Sequence, residues 1–230
     1  MKTTAIIVAA GTGSRFKSDT PKQFLELNGK PLIEHTIERF EAAPSVDGML
    51  LVLSADNLEK VDRGRFKKIT SIIPGGSTRA ESVANGLAAI PNDTELIAVH
   101  DGARPLVTVE EIERTIEAAR RTGAACLTAP VTDTIKSIRG NEIASTLDRE
   151  KMRRALTPQV FRRDLLRKAF ENVDLSESIT DECYLVERLG HPIEIVEGSA
   201  RNIKITHAED LDIAEALLSF QTRKLTTDNS

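Results

Sequence analysis

The sequence holds no tryptophan, one tyrosine and two cysteines in 230 residues. With aromatics at 3%, its core has to be aliphatic, built from Val, Ile, Leu and Ala. Cys126 and Cys183 lie far apart and form no CxxC pair, which argues against a structural zinc site and a disulfide framework. They read as buried thiols, as suits a reducing cytoplasm. No run approaches the roughly 20 apolar residues of a membrane span. Residues 1–10 are apolar only for the length of a strand and lack the long apolar region of a signal peptide. Positive charge is not in excess either: 31 Lys and Arg stand against 35 Asp and Glu, a formal net charge of −4. That balance speaks against a nucleic-acid binder, though not against a local basic pocket for a small phosphorylated ligand. His35, His100, His191 and His207 form no HExxH pair and read as structural. No serine or cysteine nucleophile signature appears, so acyl transfer and zinc hydrolysis have little support.

What is present suits one α/β domain. Apolar content is 40%. Strand-like runs at residues 4–8, 48–53, 96–100 and 124–130 alternate with helix-like stretches at 31–43, 82–90 and 109–121. That rhythm predicts a mostly parallel sheet with helices on both faces. Pro31 fits the first turn of its helix. Between residues 131 and 153 the rhythm breaks. Alternating stretches at 134–138 and 142–147 flank Gly140-Asn141, which predicts a projecting two-stranded β-arm. A lone hairpin is marginal in water, so the arm either lies on the body or pairs with a second subunit. Afterwards the pattern predicts helices at 164–172, 181–189 and 208–218 and strands at 193–196 and 202–206. Residues 221–230 read as a polar, frayed tail, leaving one domain over residues 1–220.

Four constellations carry chemistry. The first is Ala9-Ala10-Gly11-Thr12-Gly13-Ser14-Arg15 with Pro21-Lys22-Gln23. A glycine turn after the first strand brings backbone N–H groups close to an anion. It is not a Walker A loop, and Phe16 stands where a dinucleotide fingerprint needs glycine. The alternative is a plain strand-to-helix turn with solvated charges. The second runs from Gly75 to Ser82 and again joins strand to helix, where Gly76 and Ser82 would meet a base or ribose. Arg79 is equally readable as a surface charge. The third is His100-Asp101-Gly102-Ala103-Arg104-Pro105. A carboxylate ending an apolar strand needs a partner, either triphosphate-bound magnesium or another divalent cation, or Arg104. The fourth gathers Thr134, Lys136, Arg149, Thr157, Thr180 and Lys204. Lys204, between Ile203 and Ile205, is either solvated or aimed into a cleft.

Together these segments resemble the 2-C-methyl-D-erythritol 4-phosphate cytidylyltransferase family. The resemblance rests on AAGTGSR, PKQFLELNGKPLIEHTI, GGSTRAESV, VHDGARP, APVTDTIK, LDR, LTPQVF, ITDE and NIKITHAEDL, in that order over nearly the whole chain. It implies a Rossmann-like nucleotidyltransferase that uses CTP and a small polyol phosphate, with a homodimer formed through the β-arm. It implies that Ala9, Ala10, Gly11 and Gly13 line the CTP site, with Gly76 and Ser82 near the cytosine and ribose. Arg15 and Lys22 would stabilise charge at the α-phosphate, and Asp101 would help hold magnesium. Arg104, Thr180 and Lys204 would place the acceptor. Arg149 and Thr134 would reach the acceptor bound by the other subunit. Ribitol-5-phosphate cytidylyltransferase is the close alternative. Its AGG and HDSVRP motifs differ from the Ala9-Ala10-Gly11 and HDGARP found here. A catalytically silent nucleotide-binding domain is a third reading, disfavoured by the joint presence of Arg15, Lys22, Asp101, Arg149 and Lys204. A nicotinamide oxidoreductase is disfavoured by the glycine spacing.

Overall fold

A computed structural model describes residues 1–11, 16, 20–171, 173–174 and 179–227, with side chains through residue 220. Gly13 and Arg15 lie outside the described residues. The chain runs β1 (Thr3–Ala9), β2 (Glu26–Leu27), β3 (Lys30–Pro31), α1 (Leu32–Ala42), β4 (Gly48–Leu53), β5 (Ile69–Pro74), α2 (Arg79–Ala89), β6 (Leu96–Asp101) and α3 (Val109–Thr122). It continues through β7 (Ala124–Pro130), β8 (Lys136–Arg139), β9 (Glu142–Thr146), β10 (Arg153–Arg162), α4 (Arg163–Phe170), α5 (Glu182–Glu187), β11 (Glu194–Glu197) and α6 (Glu209–Thr227).

Seven strands form one sheet in the order β11-β7-β10-β6-β1-β4-β5. The β6-β1-β4-β5 run is parallel, as is β7-β11, whereas β10 pairs antiparallel with both β6 and β7. Successive side chains on a strand point to opposite faces, and the apolar runs use both. Ala5 and Ile7 of β1 pack with Ile33, Ile37 and Phe40 of α1 and with Ile112 and Ile116 of α3. Ile6, between them, packs with Val83 and Leu87 of α2, Leu166 of α4 and Leu185 of α5. A smaller third cluster seats α6, through Ala214 and Leu218, on Leu27, Leu32, Ala103 and Ile205. The two-layered cover is the reason these strands read as unbroken apolar runs. Phe40 and Phe161 are fully buried and Phe66 nearly so in a largely aliphatic core, and both cysteines are free and buried.

The α/β sheet, its covering helices and the arm match expectation, with local corrections. Pro31 caps α1 from outside its first turn. Helix α2 starts at Arg79, three residues earlier than periodicity suggested, because the Thr78 side chain accepts the Glu81 N–H. Strand β10 went unread: Pro158 sits inside it, and the pairing with β7 shifts register between Ala155 and Gln159. The strand expected at 202–206 is an irregular segment, tied down by the Ile205 N–H to the Ala103 carbonyl (2.9 Å). Helix α6 runs to Thr227, beyond residue 218 where periodicity ended it. The arm, β8 with β9, leaves the sheet where Pro130 pairs with Arg153, and Ile138 and Ile143 stand opposite each other on it, 73% and 67% exposed. Among the described residues, no helix is long and apolar enough to cross a membrane.

Candidate active site

A cleft of about 560 Å³ opens at the carboxyl ends of β1, β4, β5 and β6. In sequence, β1, β4 and β5 step outward in one direction, and β6 then returns to the other side of β1. Open α/β sheets bind ligands at such a reversal, because the two outgoing loops part there.

Glycine shapes one wall. The Gly75 N–H donates to the Leu53 carbonyl (2.7 Å), and a Cβ at Gly75 would lie 2.3 Å from the Ala10 Cβ and 2.7 Å from the Ser82 Oγ. The loop after β5 thus lies against the loop after β1, closer than any side chain allows. Ser82 ties the turn together by accepting the Gly76 N–H (3.1 Å) and donating to the Thr78 carbonyl (2.9 Å). The N-terminus of α2 then faces the cleft, a favourable place for an anion.

Cations form the opposite wall. Gln23, buried, donates to the Ala9 carbonyl (2.8 Å) and anchors the turn Lys22–Phe24 beneath β1. That anchor places Lys22 at the cleft, where its Nζ donates to the Ile205 carbonyl (2.9 Å). Lys204, the preceding residue, also lines the cleft, its apolar neighbour Ile205 being buried on the other side.

Asp101 joins these parts. It is 6% exposed, and its Oδ1 accepts from Arg79 Nε (2.9 Å) while its Oδ2 meets Lys204 Nζ (2.9 Å) and Arg104 Nε (3.4 Å). Burial pushes its pKa up, but Arg79, Lys204 and Arg104 outweigh burial and hold it far below the usual carboxylate range. Arg79 is itself forked onto Glu182, at 2.6 and 3.0 Å. Burial works against the Arg79 charge, and Glu182 and Asp101 more than restore it. Beneath Asp101, Thr157 Oγ1 accepts the Asp101 N–H (3.1 Å) and meets His100 Nδ1 (2.9 Å), while His100 Nε2 meets the Arg104 carbonyl (3.2 Å). Burial lowers the His100 pKa to about 3, so the ring is neutral. The hydroxyl therefore donates to Nδ1, and Nε2–H donates to the carbonyl.

Of the residues singled out from sequence, Ala9, Ala10, Gly11, Lys22, Gly76, Ser82, Asp101 and Lys204 line this one cleft. Arg104 sits behind Asp101 and binds the Asn202 carbonyl (2.9 Å). Thr134 and Arg149 are exposed on and beside the arm, away from the cleft, with Arg149 Nη1 on the Thr132 carbonyl (2.7 Å). Thr180 is exposed and also outside it. Of the two alternatives for Lys204, the cleft is the one observed. Asp101 pairs with Arg104, as one reading had it, yet its shorter contacts are to Arg79 and Lys204. Sequence reasoning missed Ser54, which lines the cleft beside Thr206 of the NIKITHAEDL segment, and it singled out ITDE without showing that Glu182 meets Arg79, 103 residues away. For Arg79 the available signal was the Thr78 to Glu81 capping pattern, which marks it as the first helical residue at a ligand-facing end. Among the described residues no group of three His, Cys, Asp or Glu is placed to hold a metal ion; Asp101 is the one carboxylate lining the cleft.

A glycine-walled crevice at the ends of parallel strands, faced by lysine and arginine, is the site of a nucleotidyltransferase on a Rossmann-like sheet. The chain belongs to the 2-C-methyl-D-erythritol 4-phosphate cytidylyltransferase (IspD) family, which it matches over residues 3–220. It is 44% identical to the 2-C-methyl-D-erythritol 4-phosphate cytidylyltransferase of Desulforamulus reducens, over 93% of this chain and 94% of that one. The crystal structure of 4-diphosphocytidyl-2C-methyl-D-erythritol synthase from Anaerococcus prevotii is similar at a TM-score of 0.82, with 30% identity over 95% of this chain and 96% of that chain. The 2-C-methyl-D-erythritol 4-phosphate cytidylyltransferase of Thermus thermophilus is similar at a TM-score of 0.76, with 34% identity over 93% of this chain and 98% of that chain.

Proposed function

We propose that the cleft binds CTP and that the chain joins it to 2-C-methyl-D-erythritol 4-phosphate, forming 4-diphosphocytidyl-2-C-methyl-D-erythritol and pyrophosphate in the non-mevalonate route to isoprenoids. The observation that carries the reading is the convergence of Lys22, Lys204 and Arg79 on one glycine-walled cleft in a chain of this family. The acceptor phosphate attacks the α-phosphorus and pyrophosphate leaves in line, with no covalent enzyme intermediate. That phosphate is ionised at neutral pH, so no general base is required, in keeping with the neutral, buried His100. Two anions must approach one another, and fixed cations offset their repulsion.

In this reading Ala9, Ala10, Gly11 and Gly13 face the triphosphate, and Gly76 and Ser82 face the ribose and base. Lys22 and Arg15 stabilise charge developing at the α-phosphate. Lys204, Arg104 and Thr180 place the acceptor. Magnesium favours one or two carboxylates together with phosphate oxygens. Asp101, the one cleft carboxylate among the described residues, is already matched by three side-chain cations, which fits an ion carried in on the triphosphate rather than a resident one. Asp101 is the residue that would hold it, and the ion would supply further positive charge to the phosphoryl oxygens. Residues 1–220 act as one nucleotidyltransferase domain, in the cytoplasm. Its arm, residues 131–153, dimerises through the exposed Ile138 and Ile143 and brings Arg149 and Thr134 to the other subunit's acceptor.

The test is a matrix of the four nucleoside triphosphates against 2-C-methyl-D-erythritol 4-phosphate and ribitol 5-phosphate, read as pyrophosphate release. Turnover is expected with CTP and the methylerythritol phosphate. A preference for ribitol 5-phosphate, or no turnover with any pair, would overturn the assignment.

A further inference from the structure

Glu182 takes no part in the roles assigned above, yet it is fully buried at the start of α5 and lies outside the cleft. Both of its oxygens are occupied by Arg79, at 2.6 and 3.0 Å. A planar guanidinium held by a two-point contact has a fixed orientation. That orientation directs Arg79 Nε onto Asp101 Oδ1 (2.9 Å), and the other Asp101 oxygen receives Lys204 Nζ (2.9 Å). A line of alternating charge thus runs from α5, through the first residue of α2 and the end of β6, to a lysine on the cleft wall. Burying a carboxylate is costly, and two neutral side chains would fill the same space as well. The pair is better explained by what it orients.

We propose that Glu182 is a positioning residue for the transfer: by fixing Arg79 it fixes Asp101 and keeps Lys204 aimed into the cleft. The inference rests on the cytidylyltransferase reading, whose kinetics report it. Once the Glu182 charge is gone, Arg79 turns its fork toward Asp101 and the incoming phosphates, and Asp101 releases Lys204. The cleft gains a positive charge for ground-state binding of CTP but loses the placement of Lys204. Such a change lowers kcat without raising KM for CTP.

The experiment compares wild type, Glu182→Gln, Glu182→Asp, Arg79→Met and the Arg79→Met/Glu182→Gln double variant by steady-state pyrophosphate release, with thermal melts alongside. Glu182→Gln keeps the volume and is expected to lower kcat on the order of tenfold, the scale seen when a partner that orients a functional ligand is lost. KM for CTP holds or falls. Glu182→Asp, which restores the charge, recovers part of kcat. The double variant is no slower than Arg79→Met alone, because Glu182 acts only through Arg79. Should Glu182→Gln fail to fold, that last comparison decides, since a buried pair replaced whole is tolerated. Wild-type kcat in folded Glu182→Gln, a raised KM at unchanged kcat, or a loss that adds to that of Arg79→Met would overturn the proposal. Inactive wild-type protein would overturn the cytidylyltransferase reading and this proposal together, whereas an active wild type beside an unaffected Glu182→Gln overturns only this one.

Discussion

Asparagine at position 101 would remove one negative charge from a side chain that is 9% exposed and faces three cations. The partners do not suffer equally. Arg79 keeps its fork on Glu182. Lys204, 37% exposed, can turn toward water. Arg104, 11% exposed, keeps the Asn202 carbonyl but loses its counter-charge. Removing one member of a buried pair costs about 3–5 kcal/mol. With two of the three cations able to find other partners, the lower end, about 3 kcal/mol, is expected. At about 2.1 cal/mol/K of unfolding entropy per residue, a chain of this length loses about 6 °C in Tm. The pH dependence follows from the depressed pKa of Asp101. A carboxyl depressed on folding adds stability that is fully present above its unfolded pKa and is lost as pH falls through the folded one. The gap in Tm between wild type and Asp101→Asn should stay level above about pH 5 and narrow below about pH 4. Circular-dichroism melts of both proteins across about pH 3 to 8 measure it directly, and the other carboxylates cancel in the difference. A gap below about 2 °C at neutral pH, or one that does not narrow in acid, would refute the account of Asp101 as a charge shared by three cations.

Three further outcomes are expected. Lys22→Ala should lower kcat on the order of 10²- to 10³-fold, the typical cost of one donor to a transition state, with the fold intact; wild-type turnover in the folded variant would reject that role. Mixing Arg149→Ala with Lys22→Ala subunits should restore part of the activity, because one site in the mixed dimer regains both side chains; verified heterodimers without rescue would argue against a shared site. Gly75→Ala places a methyl group 2.3 Å from the Ala10 Cβ, so a destabilisation of about 1–3 kcal/mol and a raised KM for CTP are expected. A variant matching wild type in both would show that the turn has room to yield.

The strands that periodicity resolved, β4 and β7 to the residue, are those whose neighbours cover both faces and so demand unbroken apolar runs. Strand β10 defeated the same reasoning because a proline and a register shift interrupt its ladder, and only its two neighbouring strands reveal it as one element. The irregular 202–206 segment shows the converse. Its alternation of Ile203, Lys204 and Ile205 mimics a strand, yet it serves to bury Ile205 under α6 while turning Lys204 toward Asp101.

The layered α/β plan, the arm, the glycine turns and the family can all be read along the chain, because each depends on residues near one another or on motifs in fixed order. Which charges meet follows from packing alone. Arg79, Asp101, Glu182 and Lys204 come from three elements and one irregular segment spread over more than a hundred residues, and their pairing is set by how α2 and α5 pack on the sheet. A charge read along the chain is one residue among 66 of its kind. Buried beside its partners, it has one place to be, since leaving that place would strand it unpaired away from water.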